Sequence, residues 1–166
     1  MADADLQYLL DRAAIHDVLM RYFNAADCGD VQGVRACFTH DVWAQYEGRP
    51  PVQGLDALID QIALFRNLQS GACRISTHFA GNLVYRRLED DFAETENNAF
   101  AFLVDAAGTK VAARSLRYLD RLRREDGQWK ICQRIHTLDW SSDFSCEFAR
   151  AFADKIVGFP DQSSSD

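Results

Sequence analysis

The feature that most constrains the fold is a series of four strand-length segments in the second half of the chain. Residues 74–86, 92–104, 110–123 and 128–139 are rich in β-branched and aromatic residues, which favour strands. The sequences between them, "LEDD", "DAAG" and "REDG", are typical of hairpin turns. Because short turns connect antiparallel neighbours, this half of the chain is predicted to form a four-stranded meander.

The first half of the chain has a helical period instead. Glycine is favoured just past a helix terminus, so "CGD" is expected to end the first helix. Asp30 then caps a short helix over residues 31–38, "DVWAQYEG" forms a short strand, and residues 55–68 form a further helix. Apolar residues with helical spacing mark the inner face of the first helix: Ile15, Val18, Leu19, Tyr22, Phe23 and Ala26.

Helices followed by an antiparallel sheet indicate an α+β fold. The 166 residues are enough for one domain with a sizeable core. No linker or internal repeat interrupts residues 1–159, so we expect a single domain with residues 140–159 as its C-terminal packing segment. The polar residues 160–166 are expected to form a disordered tail.

The composition excludes several classes of function. A net charge of −7 without a basic cluster argues against nucleic acid and anionic membranes as partners. No apolar run approaches the ~20 residues of a membrane span. Five scattered cysteines without a C-x-x-C pair suit a reducing compartment, and "MADADLQYLLDR" does not resemble a signal peptide. A cytoplasmic location is therefore expected.

Cofactor and metal sites are not expected. The chain has no P-loop, no G-x-G-x-x-G and no G-x-S-x-G motif. The pairs His16–Asp17 and His40–Asp41 are adjacent in sequence, so their side chains point apart and make poor joint metal ligands.

The C-terminal segment carries an aromatic pattern. Phe144, Phe148 and Phe152 are spaced i, i+4 and i+8, which places them on one face of a predicted helix. If that face were exposed to solvent, it would form an apolar surface patch. It is therefore expected to cover a pocket or to pack against a neighbouring subunit in a homodimer or homotrimer.

Two polar residues, Asp27 and His78, interrupt otherwise apolar elements. Asp27 lies at the edge of the apolar stripe of the first helix, and His78 lies in the middle of a predicted strand. His78 shares a strand face with the small or polar Ser76, Ala80 and Asn82, which suggests the floor of a cavity. The opposite face carries Ile75, Thr77, Phe79 and Leu83 and is expected to pack the core. The simpler alternatives are that His78 is a structural histidine and that Asp27, beside Phe23 on the first helix, bonds only to turn backbone.

Together the two residues have a clear chemical use. A carboxylate that accepts one ring N–H of histidine fixes its tautomer and stabilises the imidazolium, so the other nitrogen can act as a general base. Tyr22, five residues before Asp27, would add a phenolic hydroxyl that can polarise a substrate oxygen.

Three stretches, "RYFNAADCGDVQGVRACFTHDV", "THFAGNLVY" and "LDRLRREDGQWKICQR", resemble the SnoaL-like branch of the nuclear-transport-factor-2-like superfamily. The resemblance covers about residues 6–140. It implies a cone in which a curved sheet wraps against helices and encloses one pocket. Fold alone does not give function, which depends on the residues of the site.

The resemblance also implies roles for particular residues. Asp27 and His78 match the Asp–His dyad of scytalone dehydratase, bile-acid 7α-dehydratase and hexachlorocyclohexane dehydrochlorinase. Tyr22 matches a tyrosine of the bile-acid enzyme. Arg134 matches an arginine of the dehydrochlorinase and would either assist the departing group or orient the substrate. The second pocket histidine of scytalone dehydratase has no counterpart in "AETENNAFAF"; either Asn97 or Asn98 takes its place, or the role is absent.

The expected activity is a cofactor-independent lyase of the dehydratase type, acting on a small hydrophobic cyclic substrate. An isomerase or cyclase would use the same base. A different class also has this fold: the small subunit of aromatic-ring dioxygenases is an assembly subunit without catalysis, and other members only bind ligands. Four further residues are candidates for the substrate pocket: Trp43, Asn82, Asn97 and His136.

Overall fold

The computed structural model describes residues 2–150 and 154 and confirms the α+β class, with four helices and one curved, open sheet. The helices are α1 (Ala2–Asp27), α2 (Val31–Ala36), α3 (Leu55–Gln61) and α4 (Ala63–Gln69). The strands are β1 (Phe38–Tyr46), β2 (Val52–Gln53), β3 (Cys73–Glu89), β4 (Phe92–Asp105), β5 (Lys110–Glu125) and β6 (Gln128–Ser145).

The six strands are ordered β2-β1-β6-β5-β4-β3. The predicted meander, β3 to β6, is antiparallel throughout, whereas β1 joins β6 in parallel and carries β2 on its outer edge. This order places the helices that precede and follow β1 over one face of the sheet, where α1 contacts β3 and β6.

Helix α1 ends as the sequence predicts. Gly29 has φ 65°, a left-handed conformation that glycine adopts without strain, and the N–H of Asp30 donates to the carbonyl of Ala25 at 2.8 Å. The Asp30 carboxylate then caps α2 by accepting the N–H of Gly33 at 2.8 Å. Phe38, which was predicted to close α2, instead begins β1 and is buried.

A carboxylate also fixes the N-terminal half of α1 to the sheet. Asp11 is only 6% exposed and accepts hydrogen bonds from Arg124 at 2.6 Å and from the indole of Trp129 at 3.1 Å. Burial raises the pKa of Asp11, but these bonds and the charge of Arg124 outweigh burial and lower it overall. The inner face of α1, including Ile15 and Leu19, is therefore held against the core.

The predicted helix over residues 55–68 is two helices. Ile62 has φ −73° and ψ 95°, an extended conformation that separates α3 from α4. The break turns the chain so that Leu58 of α3 and Phe65 of α4 both reach the core.

The prediction of a C-terminal helix with an aromatic face is wrong for the described residues. Phe144 lies in β6 opposite Val111 of β5, and Phe148 follows the strand with 81% of its surface exposed. β5 pairs with β6 from Lys110 onward, so the strand β6 continues to Ser145. The backbone hydrogen bonds of the sheet therefore override the helical spacing of the aromatic residues. Phe152 and the predicted tail, 160–166, lie outside the described residues.

Two further properties concern the thiols and the length of the helices. All five cysteines are free thiols. Among the described helices, none is both long and apolar enough to cross a membrane.

Candidate active site

A cavity of about 230 Å³ opens between the sheet and the helices. Its wall is built by α1, the end of β1, the junction of α3 and α4, and the inner face of β3 to β6. The residues that line it are Tyr22, Ala26, Tyr46, Glu47, Arg49, Gln61, Ile62, Ala63, Leu64, Asn67, His78, Ala101, Leu103, Arg114, Leu116, Tyr118, His136 and Leu138.

The strand register explains where the space comes from. His78 lies opposite Ala101 of β4, which in turn lies opposite Arg114 of β5. The next pair on the same face, Ala80 and Ala99, is also small. Because adjacent strands are only ~4.8 Å apart, alanines at these positions leave room that larger side chains would fill.

Asp27 and His78 meet at the wall of this cavity. The carboxylate Oδ1 of Asp27 lies 2.7 Å from Nδ1 of His78, and Oδ2 accepts the backbone N–H of His78 at 2.6 Å. The hydroxyl of Ser76 donates to Oδ1 at 2.7 Å. Three hydrogen bonds therefore tie the last residue of α1 to β3, whereas the simpler alternative assigned Asp27 only to its own turn.

The electrostatic setting keeps Asp27 ionised. Burial raises the pKa of Asp27, but the hydrogen bond and charge of His78, with the hydrogen bonds from Ser76 and the backbone, outweigh burial and lower it overall. A carboxylate at a helix C-terminus opposes the helix dipole, at a cost of about 0.3–1 kcal/mol. The bonds from β3 offset that cost.

This contact also fixes the orientation of the imidazole. With Nδ1–H donating to Asp27, Nε2 carries the lone pair, and His78 lines the cavity. The ring of Phe23 packs against His78 at 5.6 Å between centroids and limits its rotation. The arrangement can accept a proton from a molecule in the cavity.

A second group of polar aromatic residues also lines the cavity. The hydroxyls of Tyr22 and Tyr46 are 3.2 Å apart, and the rings of Tyr46 and His136 are stacked at 4.8 Å. Tyr118 lies opposite His136 in the sheet and meets its ring edge-on at 5.0 Å. Burial raises the pKa values of Tyr22 and Tyr118, so both remain protonated and can donate hydrogen bonds.

His136 is neutral in this setting. Burial, followed by the positive charge of Arg134, lowers the pKa of His136 to about 4. At neutral pH, His136 therefore contributes a polar but uncharged imidazole to the cavity wall.

Arg134 lies behind this layer and not in the cavity wall. It is completely buried and forms a bidentate ion pair with Asp120, with both N···O distances at 2.7 Å. Its guanidinium carbon lies 4.0 Å from the centroid of the Tyr22 ring and 4.7 Å from that of Tyr118. The expectation that Arg134 assists a departing group is not supported, because the two tyrosine rings lie between this charge and the cavity.

Three of the four candidate pocket residues do not line the cavity. Trp43 lies between Val42 and Ala44, both completely buried, so strand alternation places it on the opposite face of β1. Asn82 is exposed because a register shift between Ala80 and Leu83 reverses the faces of β3.

Asn97 is buried in the core, and His136 is the candidate that lines the cavity. Asn97 is 1% exposed and lies opposite Tyr118 in the sheet, where α1 covers the inner face. The predicted faces of β3 are also corrected. Leu83, after the register shift, packs against the core, whereas Phe79, before the shift, lies on the face opposite His78 and is 70% exposed.

Several residues of the site are not predicted as such from the sequence. Ser76 was noted only as a small neighbour, although its position two residues before His78 on the same face predicts that it can reach the same acid. Tyr46 lies on β1, and Arg114 and Tyr118 lie on β5, so no local pattern groups all three. In the described part of the chain, no three side chains are grouped to hold a metal ion.

Comparison with known proteins agrees with this architecture. The family model of the SnoaL-like domain matches residues 7–135, and the chain belongs to this family. None of the curated proteins is similar enough to match. The chain is thus a member of the SnoaL-like family with a cavity that holds an acid–histidine pair.

Three solved structures illustrate the likeness in fold. A hexachlorocyclohexane dehydrochlorinase (LinA) of type 2 has 20% identity and a TM-score of 0.75 over 87% of this chain and 97% of its own. A protein assigned as a scytalone dehydratase from Novosphingobium aromaticivorans has 18% identity and a TM-score of 0.74, over 94% and 100%. A protein assigned as an aromatic ring hydroxylase from the same organism has 23% identity and a TM-score of 0.71, over 82% and 94%.

Proposed function

We propose that this protein is a cofactor-independent lyase of the dehydratase type that acts on a small hydrophobic cyclic substrate. The observation that carries the proposal is the 2.7 Å contact between Asp27 and His78 at the wall of a cavity. A buried acid–histidine pair beside an accessible cavity is the arrangement that general base catalysis requires.

The proposed reaction uses each polar group in a distinct way. Nε2 of His78 takes a proton from a carbon atom of the substrate, and Asp27 stabilises the imidazolium that forms. The electrons of the C–H bond form a double bond as the neighbouring C–O bond breaks. The leaving hydroxide takes a proton from the imidazolium and departs as water, which returns His78 to its neutral form.

Tyr22 and Tyr46 are proposed to bind a substrate oxygen. Their hydroxyls lie 3.2 Å apart in the cavity wall, and burial keeps Tyr22 protonated. Hydrogen bonds to an oxygen that gains negative charge in the transition state would lower the barrier. Arg134 is a positioning residue in this proposal, since its charge lies beneath the ring of Tyr22.

The lining supports a cyclic, largely apolar substrate. Leu64, Leu103, Leu116 and Leu138 line the cavity together with aromatic rings. The neutral state of His136 adds no charge to this surface. The dehydrochlorinase and the protein assigned as a scytalone dehydratase, both structural neighbours, are consistent with a lyase.

Two alternatives keep specific support. An isomerase would use the same His78 base and return the proton to another carbon, so its product would have the mass of the substrate. An assembly subunit is suggested by the likeness to the protein assigned as an aromatic ring hydroxylase. An assembly role does not need a cavity with a buried acid–histidine pair, which favours the enzyme.

His78→Ala should leave the protein folded and remove nearly all turnover. A general base contributes about 10²–10⁴-fold to the rate, and His78 faces the cavity instead of the packed core. Cyclic hydroxy-ketones should be screened with the wild type by mass spectrometry for loss of water, and the variant then assayed on the active compound.

The control is His16→Ala, which replaces an exposed histidine on α1 and should retain full activity. Circular dichroism and thermal unfolding should report the same fold for all three proteins. A His78→Ala variant that retains wild-type turnover per folded molecule would exclude His78 as the base and, with it, the proposed mechanism.

We also propose that the chain forms a homodimer or homotrimer through the outer face of the sheet. Phe79 and Trp140 are 70% and 51% exposed there, and the ring of Phe100 lies 5.7 Å from that of Trp140. Light scattering should give a dimer or trimer for the wild type and a smaller species for Phe79→Ser combined with Phe100→Ser. Leu9→Ser, on exposed α1 surface, should not change the size. A monomeric wild type would contradict this expectation.

A further inference from the structure

Two arginines that line the cavity have no carboxylate partner among the described residues. Arg114 projects from β5 into the cavity wall, and no hydrogen bond or ion pair of its side chain is found in residues 2–150 and 154. Arg49 lies in the turn after β1 and donates one hydrogen bond, from Nη1 to the carbonyl of Gln61. Its other nitrogens face no acid within 4 Å in that part of the chain.

Most other arginines of the sheet have acidic partners. On β5, Arg117 pairs with Asp139 at 3.2 Å, and Arg121 pairs with Glu94 at 2.8 Å. Other arginines of β3 and β5 also have acidic partners: Arg86, Arg87, Arg123 and Arg124. Among the described residues, Arg74 of β3 and the helical Arg12, Arg21 and Arg66 also have no acidic partner within 4 Å, but they do not line the cavity. Arg49 and Arg114 are therefore the two described arginines that combine a place in the cavity wall with the lack of an acidic partner.

The position of Arg114 relates it directly to the proposed base. Arg114, Ala101 and His78 occupy matching positions on three neighbouring strands, so the backbones of His78 and Arg114 are about 10 Å apart. The alanine between them leaves the space open. A ligand group held by Arg114 would thus place an attached ring beside Nε2 of His78.

The other charges around the cavity do not neutralise these arginines. Glu47 is the one acid among the described lining residues, and it makes no ion pair within 4 Å with either arginine. The neutral state of His136 reflects in part the positive charge of Arg114. The mouth of the cavity therefore presents two guanidinium groups in a wall that is otherwise mostly apolar.

We propose that the substrate of this site is a cyclic apolar carboxylate, whose anionic group binds Arg114 and Arg49 while its ring lies against the leucines near His78. This inference rests on the proposed function for the identity of the base, but its binding chemistry can be tested without turnover. A guanidinium is planar and matches a carboxylate with two parallel hydrogen bonds, which a neutral amide cannot reproduce.

The probes are 2-naphthoate and 2-naphthamide, which have the same ring and nearly the same shape but differ in charge. Isothermal titration calorimetry near neutral pH and at low salt should show that wild-type protein binds the carboxylate about 10-fold more tightly. Raising the salt concentration from about 50 mM to about 300 mM should weaken the binding of 2-naphthoate more than that of 2-naphthamide, because ions screen the attraction between the carboxylate and the arginines.

Variants assign this preference to the cavity. Arg114→Gln should lose most of the preference for the carboxylate while its affinity for 2-naphthamide is retained, which also reports that the cavity is intact. Arg49→Gln should lose a smaller part of the preference for 2-naphthoate. Arg117→Gln is the matched control, because it lies on the same strand with its charge paired to Asp139 on the outer face.

Failure of 2-naphthoate to bind, equal binding of the two probes, or a preference that survives in the Arg49→Gln, Arg114→Gln double variant would overturn the inference. The same titrations on His78→Ala separate the two proposals. A preference that persists there supports a carboxylate site whatever the reaction is. If His78→Ala loses turnover but the wild type shows no preference for 2-naphthoate, the carboxylate inference is refuted while the proposed base stands.

Discussion

Asp27→Asn should reduce turnover by about 10²–10⁴-fold without unfolding the protein. The amide keeps the shape of the side chain but presents a donor as well as an acceptor, so His78 loses control of its tautomer and the carboxylate that stabilises its imidazolium. In the serine-protease template, the same change of acid to amide costs about 10⁴ in rate. The pair is held here by hydrogen bonds of 2.6–2.7 Å, so a loss in that range is expected.

The losses caused by the two residues should not add. Once Asp27 is replaced, removal of His78 should cost little more, because the base that the acid supports is already disabled. A double-mutant cycle on turnover measures this coupling. Ser76→Ala is a useful comparison, since it removes one hydrogen bond to Asp27 and leaves the imidazole contact in place. It should cost much less than Asp27→Asn.

The pH profile gives an independent measure. Activity of the wild type should rise with pH through one ionisation, because only a neutral imidazole can accept the proton. In Asp27→Asn the midpoint of the residual activity should move to lower pH, because the negative charge that favours the imidazolium is absent. Additive losses together with an unmoved midpoint would show that Asp27 and His78 act independently.

Asp120→Asn should destabilise the fold by about 3–5 kcal/mol. Asp120 and Arg134 have side chains with 0% exposure, and two hydrogen bonds of 2.7 Å, from Nε and Nη2 of Arg134, pair the buried charges. Burial lowers the pKa of Arg134, but the Asp120 carboxylate outweighs burial and raises it overall. The guanidinium therefore remains charged, and removal of its partner leaves that charge buried and uncompensated.

Urea unfolding followed by tryptophan fluorescence measures the loss. Arg87→Ala is the control, because Arg87 and Glu89 form an exposed pair that contributes little. Replacing both buried partners, Asp120→Leu with Arg134→Met, should destabilise less than Asp120→Asn alone, since no charge is left behind. Equal and small effects of Asp120→Asn and Arg87→Ala would contradict this account of the pair.

The two predictions concern different layers of one site. The dyad lies at the cavity wall, whereas the Asp120–Arg134 pair lies beneath the rings of Tyr22 and Tyr118. The destabilised Asp120→Asn protein should therefore be assayed at low temperature. A loss of turnover per folded molecule there reports displacement of Tyr22 and separates it from global unfolding.

Much of the fold follows from local sequence. The helical spacing up to Ala26, the glycine that follows it and the cap at Asp30 set the end of α1 and the start of α2. Alternation and hairpin turns define the four long strands. These features are local because each depends on backbone conformation and on hydrogen bonds between residues close in sequence.

The pairing of Asp27 with His78 was accessible from sequence only through the family resemblance. Fifty-one residues separate the two side chains, and neither helix nor strand periodicity brings them together. Periodicity did place each on an inward position, and the tertiary fold then brought the end of α1 against the start of β3. The distance and the tautomer are properties of that contact.

What only the tertiary structure decided is which faces point inward and which residues converge. The register shift between Ala80 and Leu83 exposes Asn82 and turns Leu83 toward the core, because one extra residue in a strand reverses its alternation. Phe144 lies in β6 because β5 extends back to Lys110 and pairs with β6 as far as Ser145, a contact that the local helical spacing of the aromatic residues does not show. Arg114 reaches the cavity through strand register alone. The sequence by itself therefore determined the elements and their order, while the cavity and its charges depend on contacts between strands distant in sequence.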